Sequence, residues 1–340
     1  MRSKKIVFSR PGTIEVEEAE FDLSELSPTE VAVRNLYSLV SAGTELACLT
    51  GTEPWFPLPG TPGYAAVGVV AARGVSVTKV ELGDKVFTHG PHSGHFKIDT
   101  TDRYTGTCVR LPSGLRADHA LFARMGTIAM TSLRVSRIEL GDIILVMGLG
   151  QIGNLAAQLC SLQGARVIGV DLSERRRHWA KECRVHAVLD PIDPSWKEEV
   201  SRIAGARGVT AAIDATGNAD VVTEMVSLVA PYGEIVLLGT PRLPFHSNIT
   251  EVYSRIHLAT SVTFKGALEW RFPTSRDSFV KHSVERNTEI LLELIAEKRV
   301  SVSPFHTHTV PPESAKDVYA GLRDKKDEYG GVIFDWTGES

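Results

Sequence analysis

Short apolar runs separated by glycine and proline dominate the first third of the sequence. The segments Val31 to Leu36 and Val67 to Ala72 are rich in β-branched residues, and turn-forming residues bound them. Runs of this length and composition predict β-strands. We therefore expect residues 1–123 to form a compact domain built mainly of strands.

The central part of the sequence alternates apolar runs with helical patterns. A helical pattern from Ala117 to Val135 is followed by a turn at Gly141 and Asp142. Strands with helices in the intervals between them predict βαβ units and a parallel sheet, so we expect residues 124–267 to form an α/β domain. The expected strands are Ile143–Met147, Arg166–Asp171, Ala187–Leu189, Ala211–Asp214, Glu234–Leu238 and Thr263–Lys265.

The hydrophobic period changes again beyond Gly266. An amphipathic helix is expected from Asn287 to Glu297, and strands are expected from Pro304 to Val310 and from Gly331 to Trp336. We expect this last part, residues 268–340, to return to the first domain.

Composition and charge narrow the class of protein. Of the 340 residues, 43% are hydrophobic and 23% are charged, which provides material for two cores. The 37 basic and 41 acidic residues are mixed along the chain, so no basic stripe favours a nucleic acid partner.

Neither a leader-type apolar segment nor a run of about 18 apolar residues is present, so we expect a cytoplasmic protein without a membrane span. The widely spaced Cys48, Cys108, Cys160 and Cys183 are expected to be reduced.

A glycine-rich motif lies between the first predicted strand of the α/β domain and the helix that follows. Gly148, Gly150 and Gly153 form the pattern G-x-G-x-x-G, with Gln151 and Ile152 in the variable positions. The first glycine permits a tight turn, the second lets the backbone approach a pyrophosphate, and the third lets helix and strand pack closely. This context predicts a dinucleotide site with the phosphates at the helix N-terminus.

Asp171 ends the next predicted strand, about 20 residues further on, where a carboxylate binds the adenosine ribose. A carboxylate at this position favours NAD, because it hydrogen-bonds the 2′-hydroxyl and repels the 2′-phosphate of NADP. Arg175, Arg176 and Arg177 leave NADP as the alternative, although three consecutive helical arginines point in different directions.

The chain resembles the medium-chain dehydrogenase/reductase superfamily over nearly its entire length. Gly141 to Asp190, Ala212 to Asn218 and Gly233 to Gly239 resemble the cofactor half of the family, and VSAGTELACLTG, PGYAAVGVV and LGDKV resemble its N-terminal half. The resemblance implies an α/β fold with a doubly wound Rossmann domain, a GroES-like β-rich catalytic domain formed by both chain ends, and a cleft between them. It further implies Arg176 and Gly239 in the cofactor site, and a homodimer or homotetramer.

The resemblance also implies that both zinc sites of the family have been lost. Zinc-dependent members carry Cys-Gly-Thr-Asp and Gly-His-Glu segments, whereas this chain has AGTE from Ala42 and GYA from Gly63. The third ligand position falls near Arg124, and no cysteines cluster between residues 83 and 112 to form the structural zinc lobe. We therefore expect no zinc.

His89, His92 and His95 are the remaining candidates for metal or substrate binding. Their i, i+3, i+6 spacing scatters them across both faces of a strand, and no third and fourth ligand accompanies them. The simplest interpretation is that all three are polar residues of a loop. His95 and His92 are the candidates to face the cleft.

Without zinc, a side chain has to take the hydroxyl proton during alcohol oxidation. By resemblance, Thr44 holds the hydroxyl position that relays this proton in zinc alcohol dehydrogenases. Tyr64 replaces a metal-binding histidine, but its phenol needs a nearby cation or a lowered pKa to act as a base. Glu45 is an alternative base or a structural brace.

Three further residues flank segments that face the cleft in relatives, namely Trp55, Trp270 and Arg271.

The sequence thus favours a zinc-independent, NAD-dependent enzyme that oxidises a secondary alcohol of a sugar, cyclitol or polyol to a ketone. The SAGTE segment followed by Gly-Tyr resembles the branch that includes bacteriochlorophyllide dehydrogenase-like proteins. One alternative is an NADPH-dependent quinone or enoyl reductase. The other is a catalytically silent NAD-binding sensor.

Overall fold

A computed structural model describes residues 1–258 and 260–338. The chain divides into two units. One contains residues 1–124 and the chain from Trp270 onward, and the other contains residues 125–269. The boundaries expected from the sequence lay after residues 123 and 267.

Strands and helices are numbered here along the chain. The strands are β1 (Arg2–Arg10), β2 (Thr13–Glu20), β3 (Glu30–Leu39), β4 (Ala66–Arg73), β5 (Lys85–Thr88), β6 (His95–Asp99), β7 (Cys108–Arg110), β8 (Ile143–Met147), β9 (Arg166–Val170), β10 (Ala187–Leu189), β11 (Val209–Asp214), β12 (Val229–Leu237), β13 (Thr263–Gly266), β14 (His306–Val310) and β15 (Gly331–Asp335). The helices are α1 (Ala42–Thr50), α2 (Ala117–Ala120), α3 (Ala123–Val135), α4 (Gln151–Leu162), α5 (Glu174–Glu182), α6 (Trp196–Ala204), α7 (Ala219–Met225), α8 (Ile249–His257), α9 (Val284–Ala296) and α10 (Ala315–Asp324).

The first unit is rich in strands and joins both ends of the chain. Its main sheet has the order β14-β15-β3-β4-β5-β7, with β6 paired to β3 and a separate β1-β2 hairpin. Because β15 lies beside β3, the last strand of the chain completes a sheet begun by residues 30–39. One core of this unit packs α1 and α10 against the sheet through Phe8, Leu49, Tyr319, Phe334 and Trp336.

The second unit contains a six-stranded parallel sheet with the order β10-β9-β8-β11-β12-β13. Its first strand along the chain, β8, lies in the middle, and the order reverses beside it, as in doubly wound dinucleotide-binding folds. All five residues of β8 are buried, which explains its uninterrupted apolar sequence. The α/β fold with a Rossmann-like parallel-sheet unit and a GroES-like unit, expected from the sequence, is confirmed.

Several predicted elements have different bounds in the structure, and two of these differences have a clear physical cause. The helical pattern from Ala117 to Val135 is interrupted, because Phe122 and Arg124 donate to carbonyls only three residues earlier and tighten the chain between α2 and α3. The strand expected from Pro304 begins at His306, since Ser303–Phe305 form a 3₁₀ turn and proline has no N–H to donate to a sheet. Within the described chain, no helix is long and apolar enough to cross a membrane.

Candidate active site and nucleotide site

A buried carboxylate ties three separate parts of the first unit together. Glu45 lies in α1 and is 1% exposed. Its Oε1 accepts the Ser41 N–H at 2.7 Å, and its Oε2 accepts from His92 Nε2 at 3.0 Å and from the Tyr319 hydroxyl at 2.5 Å. Burial and the adjacent carboxylate raise the pKa of Tyr319 well above 10.0, so the phenol stays a donor. The arrangement makes Glu45 a brace for α1.

His92 extends this network to the last strand of the chain. Its Nδ1 lies 2.7 Å from Ser38 Oγ, and in the neutral ring whose Nε2 donates to Glu45 it accepts the Ser38 hydroxyl. Ser38 Oγ in turn accepts the indole N–H of Trp336 at 2.8 Å. Every polar group along this path has a partner, which a buried network needs in order to stabilise the fold. His92 therefore links the Glu45 carboxylate to Ser38 and, through Ser38, to Trp336.

A second polar cluster surrounds the Tyr64 phenol. The phenol donates to Ser41 Oγ, and the Thr44 hydroxyl also hydrogen-bonds it. The Arg124 guanidinium, 3% exposed at the start of α3, lies 4.8 Å from the centre of the Tyr64 ring and 5.8 Å from that of Trp270. Burial raises the pKa of Tyr64 above 10.0, and Arg124 offsets part of that rise. The phenol is therefore protonated at neutral pH and acts as a donor.

His89 borders the same cluster and keeps a buried acceptor. Its Nδ1 is 3.0 Å from the Tyr104 carbonyl oxygen, and because a carbonyl only accepts, Nδ1 carries the proton and Nε2 the lone pair. Within the described chain, this buried Nε2 has no hydrogen-bond partner. Burial and, secondly, Arg124 hold the pKa of His89 well below 6.5, so the ring is neutral. Buried acceptors are rarely left unpaired, which makes Nε2 a candidate for ligand binding.

The structure corrects the sequence-based choice among the three histidines. His95 begins β6, and its Nδ1 lies 3.2 Å from Ser3 Oγ, with its ring 5.5 Å from that of Phe21. His95 is therefore packed against the residues of the β1-β2 hairpin. The histidine beside Arg124 and Trp270 is His89, whose ring centre is 6.3 Å from that of Trp270.

The two tryptophans singled out in the sequence have different surroundings. Trp270 contacts Arg124, His89 and the Tyr104 ring, the last at 5.1 Å between ring centres. Trp55 is 61% exposed and donates its indole N–H to Glu53. Trp270 therefore belongs to the phenol cluster, defined here as Ser41, Thr44, Tyr64, His89, Tyr104, Arg124 and Trp270.

The second unit carries the glycine-rich turn between β8 and α4. Gly148 has a φ of +88°, which L-residues rarely adopt, and a Cβ on Gly153 would lie 1.8 Å from the Gly148 carbonyl oxygen. Gly150 caps α4, which begins with Gln151 and Ile152, and a Cβ there would meet no protein atom within 4 Å. The turn thus leaves open space in front of the helix N-terminus, where a pyrophosphate fits.

Asp171 stands at the end of β9, next to this turn. Its Oδ2 accepts the Leu149 N–H at 2.6 Å, and its Oδ1 accepts the Ser173 N–H at 2.8 Å. Each carboxylate oxygen has a second lone pair with which to bind a ribose hydroxyl. The Arg176 guanidinium lies 3.9 Å from Oδ2, so a cation and a carboxylate share this position.

The other two arginines of the run, Arg175 and Arg177, contact groups of the protein itself. Arg177 donates to the Asp171 and Leu172 carbonyls and pairs with Asp190, and Arg175 lies over the Trp179 ring. Gly239 packs against the neighbouring loop, because a Cβ there would lie 2.2 Å from the Gly217 nitrogen. Its contribution to a cofactor site is therefore close packing at the ends of β11 and β12.

Two family profiles match consecutive parts of the chain. The alcohol dehydrogenase GroES-like domain matches residues 27–132, and the zinc-binding dehydrogenase profile matches residues 152–277. Together they cover more than half of the sequence. The chain belongs to the medium-chain dehydrogenase/reductase superfamily, whose members are nicotinamide-dependent oxidoreductases.

Relatives of this chain include sugar and quinone enzymes. D-guloside 3-dehydrogenase of Escherichia coli K12 is 27% identical over 68% of this chain and 72% of its own length. A 2-desacetyl-2-hydroxyethyl bacteriochlorophyllide A dehydrogenase of Cereibacter sphaeroides is 27% identical over 99% of both chains. Quinone oxidoreductase-like protein 2 of Mus musculus is 28% identical over 72% of this chain and 69% of its own length.

Solved structures share the fold. Galactitol-1-phosphate dehydrogenase of Escherichia coli superposes with a TM-score of 0.83 at 17% identity, covering 98% of this chain and 99% of that one. An Escherichia coli CFT073 alcohol dehydrogenase solved with NADH has a TM-score of 0.81 at 17% identity, with coverage of 98% and 99%. A zinc-binding dehydrogenase of Sinorhizobium meliloti solved with NADP has a TM-score of 0.79 at 20% identity, again with coverage of 98% and 99%.

The residues at the family's zinc positions do not fit a zinc ion. Ala42 offers no ligand atom, Tyr64 points its hydroxyl at Ser41, and Arg124 brings a positive charge. Among the described residues, the group of histidine, cysteine and acidic side chains compact enough for a metal is Asp118, His119 and His306, which includes none of these positions.

Sequence reasoning missed the roles of Ser41, His89 and Arg124 in the phenol cluster. Arg124 had a local signal, since a single basic residue interrupts the buried apolar stretch from Ala120 to Met125. His89 directly follows the buried end of β5, which is a weaker signal. Ser41 had none, because its partner Tyr64 is 23 residues away.

The Gly150→Ala variant tests the nucleotide turn. The added methyl group meets no protein atom, so the melting temperature should stay within about 1 °C of wild type, as expected for changes without strain. The same methyl group occupies space in front of the helix N-terminus, so the Kd for NADH should rise about tenfold or more. Fluorescence titration with NADH measures this, and Gly266→Ala, also in open space, serves as the control. Wild-type affinity in Gly150→Ala would exclude this turn as the phosphate site.

The Tyr319→Phe variant tests the carboxylate brace. Loss of the hydroxyl removes one of three donors to the buried Glu45 carboxylate and should lower the free energy of unfolding by about 2 kcal/mol. Urea denaturation measures the loss. The control is Tyr253→Phe, because Tyr253 is 62% exposed and should change stability little. Equal stabilities of the two variants would contradict the bracing role of Glu45.

Proposed function

We propose that this protein is an NAD-dependent dehydrogenase that oxidises a secondary hydroxyl of a sugar, cyclitol or polyol to a ketone without a catalytic zinc ion. The observation that carries the proposal is the phenol cluster, in which a buried guanidinium, a neutral phenol and a neutral imidazole acceptor lie together. Two of its members, Tyr64 and Arg124, stand where the family resemblance places zinc ligands. The relative named D-guloside 3-dehydrogenase supports a hydroxyl on a sugar ring.

Oxidation of a secondary alcohol removes a hydride from carbon and a proton from oxygen. The nicotinamide, when bound, accepts the hydride. The oxygen gains negative charge as its proton leaves, and zinc-dependent enzymes neutralise that charge with the metal. Arg124 supplies a permanent positive charge that can stabilise the developing alkoxide in the same way, since a buried cation acts strongly where water is excluded.

The phenol and the imidazole of the cluster have complementary hydrogen-bonding roles. Tyr64 is protonated, so it does not abstract a proton, and its O–H, which donates to Ser41 Oγ, would turn to a substrate oxygen. The lone pair of His89 Nε2 accepts the hydrogen bond of the substrate hydroxyl and takes its proton as the hydride leaves the carbon. Ser41 and Thr44 hold the phenol oxygen in place, and a substrate oxygen would replace Ser41 as the acceptor of its proton.

Asp171 supports NAD as the cofactor. Its carboxylate stands at the strand end where the ribose 2′-hydroxyl binds in this fold, and a 2′-phosphate beside it would be repelled. Arg176 at 3.9 Å weakens this repulsion, so the preference for NAD over NADP is expected to be moderate.

A second candidate is the NADPH-dependent reduction of an activated C=C bond. Two observations favour it: the similarity to a quinone oxidoreductase-like protein, and the position of Arg176, which is able to bind a 2′-phosphate. In that reaction the hydride attacks the β-carbon, and a proton donor completes the addition. The protonated phenol of Tyr64 suits such a donor.

A substrate panel separates these functions. Purified protein is incubated with NAD and a series of methyl glycosides, cyclitols and polyols, while the absorbance of NADH is followed. We expect NAD-dependent turnover with at least one ring polyol, unchanged after treatment with a chelator. Turnover restricted to NADPH with enones or quinones would establish the second candidate instead. Cofactor binding without turnover on either panel would favour a sensor.

The Arg124→Met variant tests the cation. It removes the charge but keeps much of the volume, and kcat should fall about a hundredfold or more, the usual effect of losing an oxyanion-stabilising group. Arg103→Met is the matched control, because Arg103 also lies over a ring of the cluster, 5.6 Å from Tyr104, but is exposed. A kcat for Arg124→Met equal to that of the control would remove Arg124 from the reaction.

The Tyr64→Phe variant tests whether the phenol is a donor or a base. Because the pKa of Tyr64 is raised above 10.0, the phenol stays protonated throughout the neutral range. The variant should therefore lower kcat about tenfold, the effect of about one hydrogen bond, without moving the pH profile. Disappearance of a pH-dependent limb in Tyr64→Phe would identify the phenol as the base.

A further inference from the structure

We propose that Asp118, His119 and His306 form a site for a divalent metal ion of the zinc class, made of residues that the phenol cluster does not include. One ligand atom from each residue lies within 4.8 Å of the other two. The family's zinc positions contribute none of these residues. The proposal goes beyond the proposed function and does not depend on it.

The fold brings the three residues together from distant parts of the sequence. Asp118 and His119 are neighbours in the short helix α2, and His306 is the first residue of β14. The rings of His119 and His306 meet edge to face, with 6.1 Å between their centres. The Phe122 ring lies 5.9 Å from the His306 ring and covers one side of the group. All three ligand residues are half-buried, so an ion has access.

Two imidazoles and a carboxylate are typical ligands of zinc and similar ions. With zinc–ligand distances near 2 Å, ligand atoms in a tetrahedral site stand roughly 3.3 Å apart. The ligand atoms would therefore close by at most about 1.5 Å, which rotation of half-buried side chains allows. Three protein ligands leave a fourth position for water or a small ligand, the pattern of an open metal site.

His306 already has a second contact of the kind that orients metal-binding histidines. Its Nε2 lies 2.9 Å from Thr309 Oγ1. When this nitrogen donates to the threonine, Nδ1 keeps the lone pair with which to bind an ion, and the ring plane is fixed. A hydrogen bond from the second ring nitrogen is an almost constant feature of such ligands.

Arg116 competes with a metal ion for Asp118. Its Nε and Nη2 donate to Oδ1 and Oδ2 at 3.1 and 2.6 Å, and the His119 N–H also donates to Oδ1 at 3.0 Å. An ion would have to take a remaining lone pair of the carboxylate or displace one arm of the guanidinium. A metal ion therefore competes with the Arg116–Asp118 ion pair, so removal of Arg116 should strengthen metal binding.

The experiment is a titration of the metal-free, full-length protein with Zn²⁺, using calorimetry and competition with a chromophoric chelator. We expect one equivalent to bind to the wild type. His119→Gln and His306→Gln, which retain much of the side-chain volume, should each weaken binding at least tenfold. Arg116→Gln should tighten it severalfold. His178→Gln is the control, because His178 is exposed and pairs with Glu182 on α5, and it should leave binding unchanged.

Titration with Co²⁺ provides a second readout, because its absorption spectrum reports the number and type of ligands. We expect a spectrum of nitrogen and oxygen ligands that is lost in both histidine variants. Circular dichroism and thermal unfolding check that these variants are folded. Absence of Zn²⁺ binding to the wild type, or equal affinity in wild type, His119→Gln and His306→Gln, would refute the site.

The same variants separate this site from catalysis. If His306→Gln loses Zn²⁺ and retains NAD-dependent turnover, zinc found in the purified protein is not a catalytic ion. If zinc and turnover are lost together in a folded variant, the metal-free mechanism fails while the metal site stands. Failure of either proposal is therefore visible without the other.

Discussion

The buried carboxylate of Glu45 is the interaction on which the first unit depends. A carboxylate away from water is costly unless donors surround it, and here a backbone N–H, an imidazole and a phenol do so. These donors come from the residue before α1, from the loop before β6 and from α10. The carboxylate therefore joins both ends of the chain at one point.

The Glu45 carboxylate is also linked to the phenol cluster, which holds the proposed reacting groups. Ser41 gives its N–H to Glu45 and its hydroxyl oxygen to the Tyr64 phenol, so the brace and the phenol cluster share one residue. Tyr64 then presents its ring to the Arg124 guanidinium. A network of satisfied hydrogen bonds that adjoins an open acceptor, His89 Nε2, is an arrangement suited to preorganised catalysis.

In the proposed mechanism, the phenol cluster takes the place of a metal with fixed charges and donors. Zinc acts both as a cation and as a means to acidify a hydroxyl, and here these tasks fall to different side chains. Arg124 holds the positive charge, and by the same charge it helps keep His89 neutral as an acceptor. The proposed ion at Asp118, His119 and His306 has no part in the proposed reaction. Metal content and activity therefore need separate tests.

The main features of the cofactor half could be predicted from the sequence alone. The glycine-rich turn, the strand periodicity and the position of Asp171 depend on contacts between residues close in sequence, so local patterns were sufficient to predict them. The replacement of the family's zinc ligands was equally readable, because it needs only the residue types at three positions. Family membership followed from the same motifs.

Only the tertiary structure decided which polar residues meet. Glu45 and Tyr319 are 274 residues apart, and Ser38 and Trp336 are 298 apart, so no local pattern connects them. The same limit applied to the three histidines, among which the sequence favoured His95 or His92 over His89. His89 was distinguished by the carbonyl that fixes its proton and by its buried lone pair, both products of chain packing. Sequence identifies which groups carry chemistry, whereas long-range packing determines which of them are already engaged and which are left to bind a ligand.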